Sequence, residues 1–542
     1  MKLRPIVSFI LCLGFASAYS QNAEKNSAFT RADSLRGSVT PERAWWNVLH
    51  YDIQIRPDFE SKTITGSNKI QFAVTKPGRI MQIDLQEPLI IQKILWNQTS
   101  LKFSRTGNVF YVEFPSSLKA GSEASISIEY GGNPIIAKRP PWDGGWIFTT
   151  DKLGRPWMTV ACEGIGASIW YPCKDYLGDE PDHGASLSVT VPDTLVAVGN
   201  GRLQQKKSNA DGSTTFTWSV KSPINNYNIV PYIGKYVGWH EIYPGEKGKL
   251  DCDYWVLDYN EAKARQQFKA VDSMLRSFEY WMGPYPFYED GYKLVEAPHL
   301  GMEHQSDVAY GNKFRQGYAG MDLSGSGWGL KWDFIIVHES GHEWFGNNIT
   351  CKDIADEWIH EGFTNYTETL YTDYYFGKAA GNAYNLGIRK NIENKSPIIG
   401  HYGVNNEPEG TDEYYKAGNM LHTIRQIISN DELFREILRG LNKTFYHQTV
   451  TTKQVEDYIS QHAKIDFSKV FDQYLRNTQI PVLEYATKGN TTEYRWTNCI
   501  PGFNMAARVN DQFIHPTEQW QNLSTTRFDI DRNLYFDSRK SE

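Results

Sequence analysis

The stretch Phe334-Ile335-Ile336-Val337-His338-Glu339-Ser340-Gly341-His342 decides how the rest of the chain is read. An apolar run leads into two histidines four residues apart, with a glutamate directly after the first. On a helix, positions i and i+4 share one face with roughly 6 Å between them, so both imidazoles can reach one tetrahedral metal ion. Glu339 is placed to take a proton from a water activated by that ion. The pattern points to zinc, one ion per chain. Five residues are too few to stand alone, so a third protein ligand has to come from elsewhere.

Glu361 is the candidate, nineteen residues after His342 in the segment Asp356-Glu357-Trp358-Ile359-His360-Glu361-Gly362-Phe363. A helix, a turn and the start of a second, antiparallel helix would return such a residue to the side of the first. Its neighbour His360 is a rival, but adjacent helical residues point about 100° apart, so only one of the two can face the metal. Three protein ligands leave a fourth position open, the arrangement of a catalytic rather than a structural zinc site.

Outward from this segment, the sequence reads as helices in both directions. Glu261 to Met282 carries helical periodicity and stops at Gly283-Pro284; further helices are expected over Trp332 to Asn347, Asp356 to Phe376, Tyr414 to Ser429, Asp431 to Leu441 and Thr452 to Gln461. Upstream, the period changes to two. Ile70 to Val74, Ala124 to Ile128, Leu187 to Val191 and Thr215 to Val220 alternate apolar and polar residues, and turn signals such as Asp211-Gly212 and Gly131-Gly132-Asn133-Pro134 separate them. After Gln479-Ile480-Pro481 short β-like runs return, as in Thr491 to Trp496. The expected organisation is α+β and multidomain: a β-rich unit over 45–238, a mostly helical zinc unit over 239–478 and a small β unit over 479–542.

The first twenty residues read differently. Met1-Lys2-Leu3-Arg4 is followed by an apolar run to Ala18 and a small-residue stretch, the pattern of a secretory signal, and a polar leader fills 21–44. The protein is therefore expected outside the cytoplasm, periplasmic or secreted, with no membrane span in the mature chain. Losing Lys2 and Arg4 takes the formal charge from -7 to -9, and clustered Lys and Arg are missing, so nucleic acid is not an expected partner. Beyond the signal, Cys162, Cys173, Cys252, Cys351 and Cys499 are an odd number at scattered spacings, which favours separate buried thiols. Asn97, Asn348, Asn365 and Asn442 open Asn-x-Thr triplets. Two of these lie so close to the metal site that a glycan would block it, and all are read as chance occurrences.

The segments His338-Glu339-Ser340-Gly341-His342-Glu343-Trp344-Phe345-Gly346-Asn347 and His360-Glu361-Gly362-Phe363 together resemble the aminopeptidase N family of gluzincins, which also contains leukotriene hydrolase. The resemblance spans the whole mature chain. It implies a β-rich N-terminal domain, a thermolysin-like catalytic domain and a short β tail, without the large helical C-terminal domain of many members. It also implies substrate-binding residues. The family's Gly-x-Met-Glu-Asn motif is similar to Leu300-Gly301-Met302-Glu303-His304, which makes Glu303 the expected holder of a substrate ammonium, with Gly301 and Met302 beside it. Leu300 and His304 depart from the motif; an imidazole at 304 could still donate to a peptide carbonyl. A Gln-Cys-Glu-like segment of the family resembles Ala161-Cys162-Glu163-Gly164, giving Glu163 as a second anion near the amine. Its Tyr-x-Lys-Gly-like segment resembles Tyr414-Tyr415-Lys416-Ala417-Gly418, with Ala417 in place of the first Gly; Tyr414 fits the register as donor to the oxyanion, with Tyr415 as the alternative.

The expected activity is hydrolysis of the N-terminal peptide bond of peptides with a free N-terminus, with Glu339 as general base. Two alternatives share the zinc motif: an epoxide hydrolase of the leukotriene type, and a zinc-containing binding protein without catalysis. Glu339 and the tyrosine argue against the second, since a structural zinc site needs neither.

Overall fold

A computed structural model describes residues 29–405 and 410–541. The expected export signal, residues 1–20, and the first part of the leader lie outside the described residues. The rest of the leader contains a short helix, α1 (Arg31–Gly37), which the polar composition did not suggest; Thr30 and Asp33 close its N-terminus as a capping box.

The four alternating segments all fall in strands: Thr63–Val74, Glu123–Gly132, Ala185–Pro192 and Ser213–Val220. They belong to one eight-stranded sheet, in which Trp46–Asp58 pairs antiparallel with Thr63–Val74 and parallel with Ala185–Pro192. Period-two patterning turns Ala185, Leu187, Val189 and Val191 inward, and these side chains join Tyr51, Ile53, Phe72 and Phe216 in one core. The expected boundary at 238/239 needs correction. It cuts the strand Tyr236–Gly245, which forms a hairpin with Gly248–Leu257 and enters a five-stranded sheet with Tyr292–Glu296, Val308–Tyr310 and Gly301–Met302. Strands lie on both sides of that boundary, so periodicity carried no signal for it.

The expected helix Glu261 to Met282 is two, α2 (Glu261–Gln267) and α3 (Ala270–Met282), and α3 ends at Gly283 with φ 93°. The metal-motif helix, α4 (Phe334–Gly341), is capped by Asp333, whose carboxylate accepts from the N–H groups of Ile335 and Ile336. It is shorter than expected. After His342 the backbone leaves the helical region at Phe345 (φ -128°, ψ 102°) and Gly346 (φ 131°, ψ -54°), so no regular helix reaches Asn347. Next come α5 (Trp358–Phe376), α6 (Lys378–Ile388), α7 (Asp412–Ile428), α8 (Asp431–Thr444), α9 (Thr452–Ala463) and α10 (Ser468–Leu475). Of these α6 and α10 were not anticipated.

Helix α5 is buried at every residue from Trp358 to Thr372 and packs against α3, α4, α6 and α7. Small residues allow the close crossings. A Cβ on Gly341 would lie 2.7 Å from Thr367 Oγ1, and one on Gly362 would lie 2.6 Å from Ala417 Cβ. The C-terminal strands Val482–Lys488, Thr491–Thr497, Gln521–Leu523 and Asp537–Lys540 make a four-stranded sheet whose Leu483 and Trp496 continue the helical core. Among the described residues no helix is long and apolar enough to cross a membrane. The five cysteines among the described residues stand unpaired, with Cys162, Cys173, Cys252 and Cys351 buried.

Candidate active site

Helices α4 and α5 bring their histidines and glutamate to one point. The ligating atoms of His338, His342 and Glu361 all lie within 4.8 Å of one another, with Glu361 Oε2 3.6 Å from His338 Nε2 and 3.4 Å from His342 Nε2. That carboxylate oxygen is buried and has no hydrogen-bond partner. A buried carboxylate oxygen that faces two imidazole nitrogens without a hydrogen bond is placed to share a cation with them, and a set of two nitrogens and one carboxylate fits zinc. His360 is not part of it. Its Nε2 accepts the backbone N–H of Cys351 at 2.8 Å, and burial with His342 nearby pushes its pKa down to about 3.

Residues that sequence reasoning missed hold the two histidines. His338 Nδ1 lies 2.8 Å from Glu368 Oε1, and Glu368 in turn accepts from Tyr384 Oη at 2.6 Å and Asn365 Nδ2 at 3.1 Å. A carboxylate on Nδ1 fixes the ring and leaves Nε2 free for a metal. Glu368 was discoverable: it stands two helical turns after Glu361, on the same face of α5. His342 Nδ1 lies 3.2 Å from both the Phe345 carbonyl and Thr364 Oγ1. The Phe345 contact depends on the sharp turn at Gly346, where a Cβ would come within 3.1 Å of His342 Nδ1.

Glu339 stands beside this cluster with its carboxylate against the backbone of Gly301; a Cβ there would lie 2.4 Å from Oε1. Its pKa is raised to about 7, chiefly by burial, with the two histidines pulling it down and Glu303 and Glu361 pushing it up. Glu303, from the loop after the strand Gly301–Met302, is buried. Tyr227 Oη donates to its Oε1 at 2.9 Å and Asn347 Nδ2 donates to its backbone carbonyl at 2.7 Å. The ligating atoms of Glu303, Glu339 and His342 also lie within 4.8 Å of one another. Glu163 comes from a turn of the N-terminal unit. Burial first, then the carboxylates of Glu303, Glu357 and Glu361, hold its pKa well above the usual range. Carboxyl groups crowded to that degree ionise together only when a cation is placed among them.

Tyr414, in the first turn of α7, stacks near His338 with ring centroids 6.1 Å apart. Burial and the neighbouring Glu361 and Glu413 raise its pKa, so it stays an O–H donor. A cavity of about 810 Å³ opens onto all of these groups; Glu163, Gly301, Met302, Glu303, Glu339 and Tyr414 are on its wall. Glu357, Glu413 and Arg36 also line it, and none of the three was singled out by sequence reasoning. His304 does not. It is fully buried, with Nδ1 2.5 Å from Tyr232 Oη, so the expected contact between its imidazole and a substrate carbonyl is corrected. The ring is turned into the protein behind Glu303, and burial pushes its pKa far down.

Two family models match the chain, the peptidase M1 N-terminal domain over residues 47–227 and the peptidase family M1 domain over 329–474. Among curated relatives, leukotriene A-4 hydrolase of Xenopus laevis is 21% identical over 79% of this chain and 70% of its own length. Endoplasmic reticulum aminopeptidase 1 of Mus musculus is 22% identical over 81% of this chain and 49% of its own. Aminopeptidase 2 of Candida albicans is 21% identical over 86% and 51%, so the chain spans about half the length of these two aminopeptidases. Among solved structures, a mutant M1 zinc metallopeptidase of Deinococcus radiodurans bound to a Tyr-Ser-Ala substrate has a TM-score of 0.70 at 20% identity, covering 82% of this chain and 98% of that one.

Proposed function

This chain belongs to peptidase family M1, and on that footing we propose that it is a zinc aminopeptidase that releases residues from the free N-terminus of peptides. The observation that carries the reading is the distance between anchor and metal site. The carboxylate of Glu303 lies within 4.8 Å of the ligating atoms of Glu339 and His342. In a peptide, the terminal nitrogen is separated from the first carbonyl carbon by two bonds, about 2.5 Å. An ammonium held by Glu303 and Glu163 therefore leaves the first peptide bond, and no later one, beside the catalytic groups.

His338, His342 and Glu361 would hold the zinc, which when bound supplies a Lewis acid for the scissile carbonyl and for water. The chain's own groups do the rest. Glu339 accepts the proton of the attacking water and returns it to the leaving amine. Tyr414 donates its O–H to the developing oxyanion. Glu368 keeps the His338 ring in place, and Glu303 with Glu163 sets the register of the substrate. The N-terminal pattern from Lys2 to Ala18 supports a location outside the cytoplasm for this activity.

The test is a set of aminoacyl chromogenic substrates and their N-acetylated forms, assayed with zinc and with a chelator. The wild-type protein should cleave the free-amine forms alone, lose activity to the chelator and regain it with zinc. Glu303→Gln should lower kcat/KM on free-amine substrates by roughly 100-fold, the worth of one desolvated charge contact, and erase the discrimination. Equal cleavage of both forms by the wild-type protein would refute the anchor, and with it the exopeptidase reading.

A further inference from the structure

The turn that presents Glu163 is gripped by an element that lies before the matched family ranges. Glu163, Gly164 and Ile165 all line the cavity, so where the Glu163 side chain lies beside Glu303 is set by how the backbone of this turn is tied down. Gly166 N–H donates to the Cys162 carbonyl at 2.7 Å, Gln86 Nε2 donates to the Ile165 carbonyl at 2.6 Å, and the Gly164 carbonyl accepts from Arg36 Nη2 at 2.7 Å and, at the longer distance of 3.5 Å, from Asn405 Nδ2. The guanidinium lies directly on the turn: Gly166 has φ 93°, and a Cβ there would stand 2.4 Å from Arg36 Nη2. Arg36 Nε also lies 3.5 Å from Asp175 Oδ2, the oxygen that accepts from Ser168 N–H and Ser168 Oγ on the far side of the same turn.

Helix α1, which carries Arg36, is fastened on two sides. Towards the N-terminal unit, Gln82 Nε2 donates to the Leu35 carbonyl at 3.0 Å and the buried Arg43 donates to the Arg36 carbonyl at 2.8 Å. Towards the helical unit, Asn405 N–H donates to the Asp33 carbonyl at 3.1 Å, and Gly37 packs so tightly that a Cβ would stand 2.2 Å from the Val404 carbonyl carbon. Arg36 is also the one arginine or lysine among the described residues that line the main cavity.

We propose that α1 is a clamp on the amine-binding end of the cavity and that Arg36 is the positioning residue that keeps Glu163 in place. The inference rests on the reading of Glu163 as an amine anchor. It extends the working site to a segment ahead of residue 47, where the N-terminal family match begins.

The experiment is steady-state kinetics of the full zinc-loaded chain on a free-amine aminoacyl substrate, for Arg36→Ala, Arg36→Lys, Glu163→Gln and the Arg36→Ala/Glu163→Gln double variant, with thermal melting and zinc content as controls. Arg36→Ala should raise KM roughly tenfold, the worth of one charge-assisted hydrogen bond, with kcat within about threefold of wild type. Arg36→Lys keeps the charge but cannot span both Gly164 and Asp175, so its KM should fall between the two. Where alanine does not fold, the lysine variant carries the comparison. Glu163→Gln should raise KM to a similar extent, and adding Arg36→Ala should change nothing more, because the two act as one unit. An unchanged KM in Arg36→Ala, multiplying effects in the double variant, or a silent Glu163→Gln would each overturn the proposal. The Glu303→Gln discrimination assay separates these failures from failure of the aminopeptidase reading, since it tests the anchor without involving α1.

Discussion

At the residue scale, the side chains proposed to do the chemistry have their partners fixed before any substrate arrives. Glu339 is held against Gly301, within reach of the histidines on one side and Glu303 on the other. Replacing its carboxylate by an amide keeps the volume and removes the base. Glu339→Gln should therefore retain one zinc per chain by metal analysis and lose turnover on the order of 10³-fold; a variant retaining a tenth of the wild-type rate would exclude Glu339 as the base. The residues of the candidate metal site were legible because i, i+4 spacing on a helix leaves little choice about direction. His304 was not. Its sequence position beside Glu303 suggested a substrate contact, and only the hydrogen bond to Tyr232 reveals that the ring is packed inward.

Elements place those residues through contacts that leave no room for a side chain. The strand Gly301–Met302 passes so close to α4 that residue 301 has to be glycine for Glu339 to keep its position. Gly301→Ala should lower kcat on the order of 10²-fold through displacement of the Glu339 carboxylate, while the melting temperature and zinc content stay near wild type. Unchanged kcat would mean that the carboxylate has slack which the packing does not suggest. The same logic explains why the helix expected to reach Asn347 stops early. Leaving helical geometry at Gly346 turns the Phe345 carbonyl back onto His342 and lets Asn347 reach the Glu303 carbonyl. Apolar periodicity ran through this segment without interruption, so it gave no warning of the break. It located α5, α7, α8 and α9 to within a few residues, because their buried faces recur at helical spacing.

At the scale of the molecule, the cavity is built across a seam. Tyr227 and Asn228 of the N-terminal unit bond to Glu303 and Asn347 of the helical unit, and Asn200 donates to the Gln305 carbonyl. Glu296 lies at the same seam, accepting from Leu257 N–H and Asn260 Nδ2 while its backbone carbonyl accepts from Tyr236 Oη. Burial pushes its pKa up to about 7. A raised carboxyl holds its proton in the folded state after the unfolded chain has lost it near pH 4.5. Its contribution is thus fully present below that pH and lost as pH rises through about 7, a fall of roughly 3 kcal/mol at most. Glu296→Gln, which cannot ionise, should flatten the decline in melting temperature between pH 5 and pH 8 relative to wild type. An identical decline in the two proteins would show that Glu296 does not titrate in that range.

By itself the sequence picked out His338, His342 and Glu361 as a candidate metal cluster and Glu339 as the candidate base, and it showed the alternation of a strand-rich unit with a helical one and the family. These follow from short-range geometry, a helix face or a pleat, that a few residues fix locally. Tertiary structure alone decided that Glu163 meets Glu303 from a separate unit, that Glu368 and the Phe345 carbonyl orient the two histidines, that His304 faces inward, and that Arg36 reaches the turn of Glu163. Each of those depends on which surfaces pack together over long separations in the chain, and no local period encodes that.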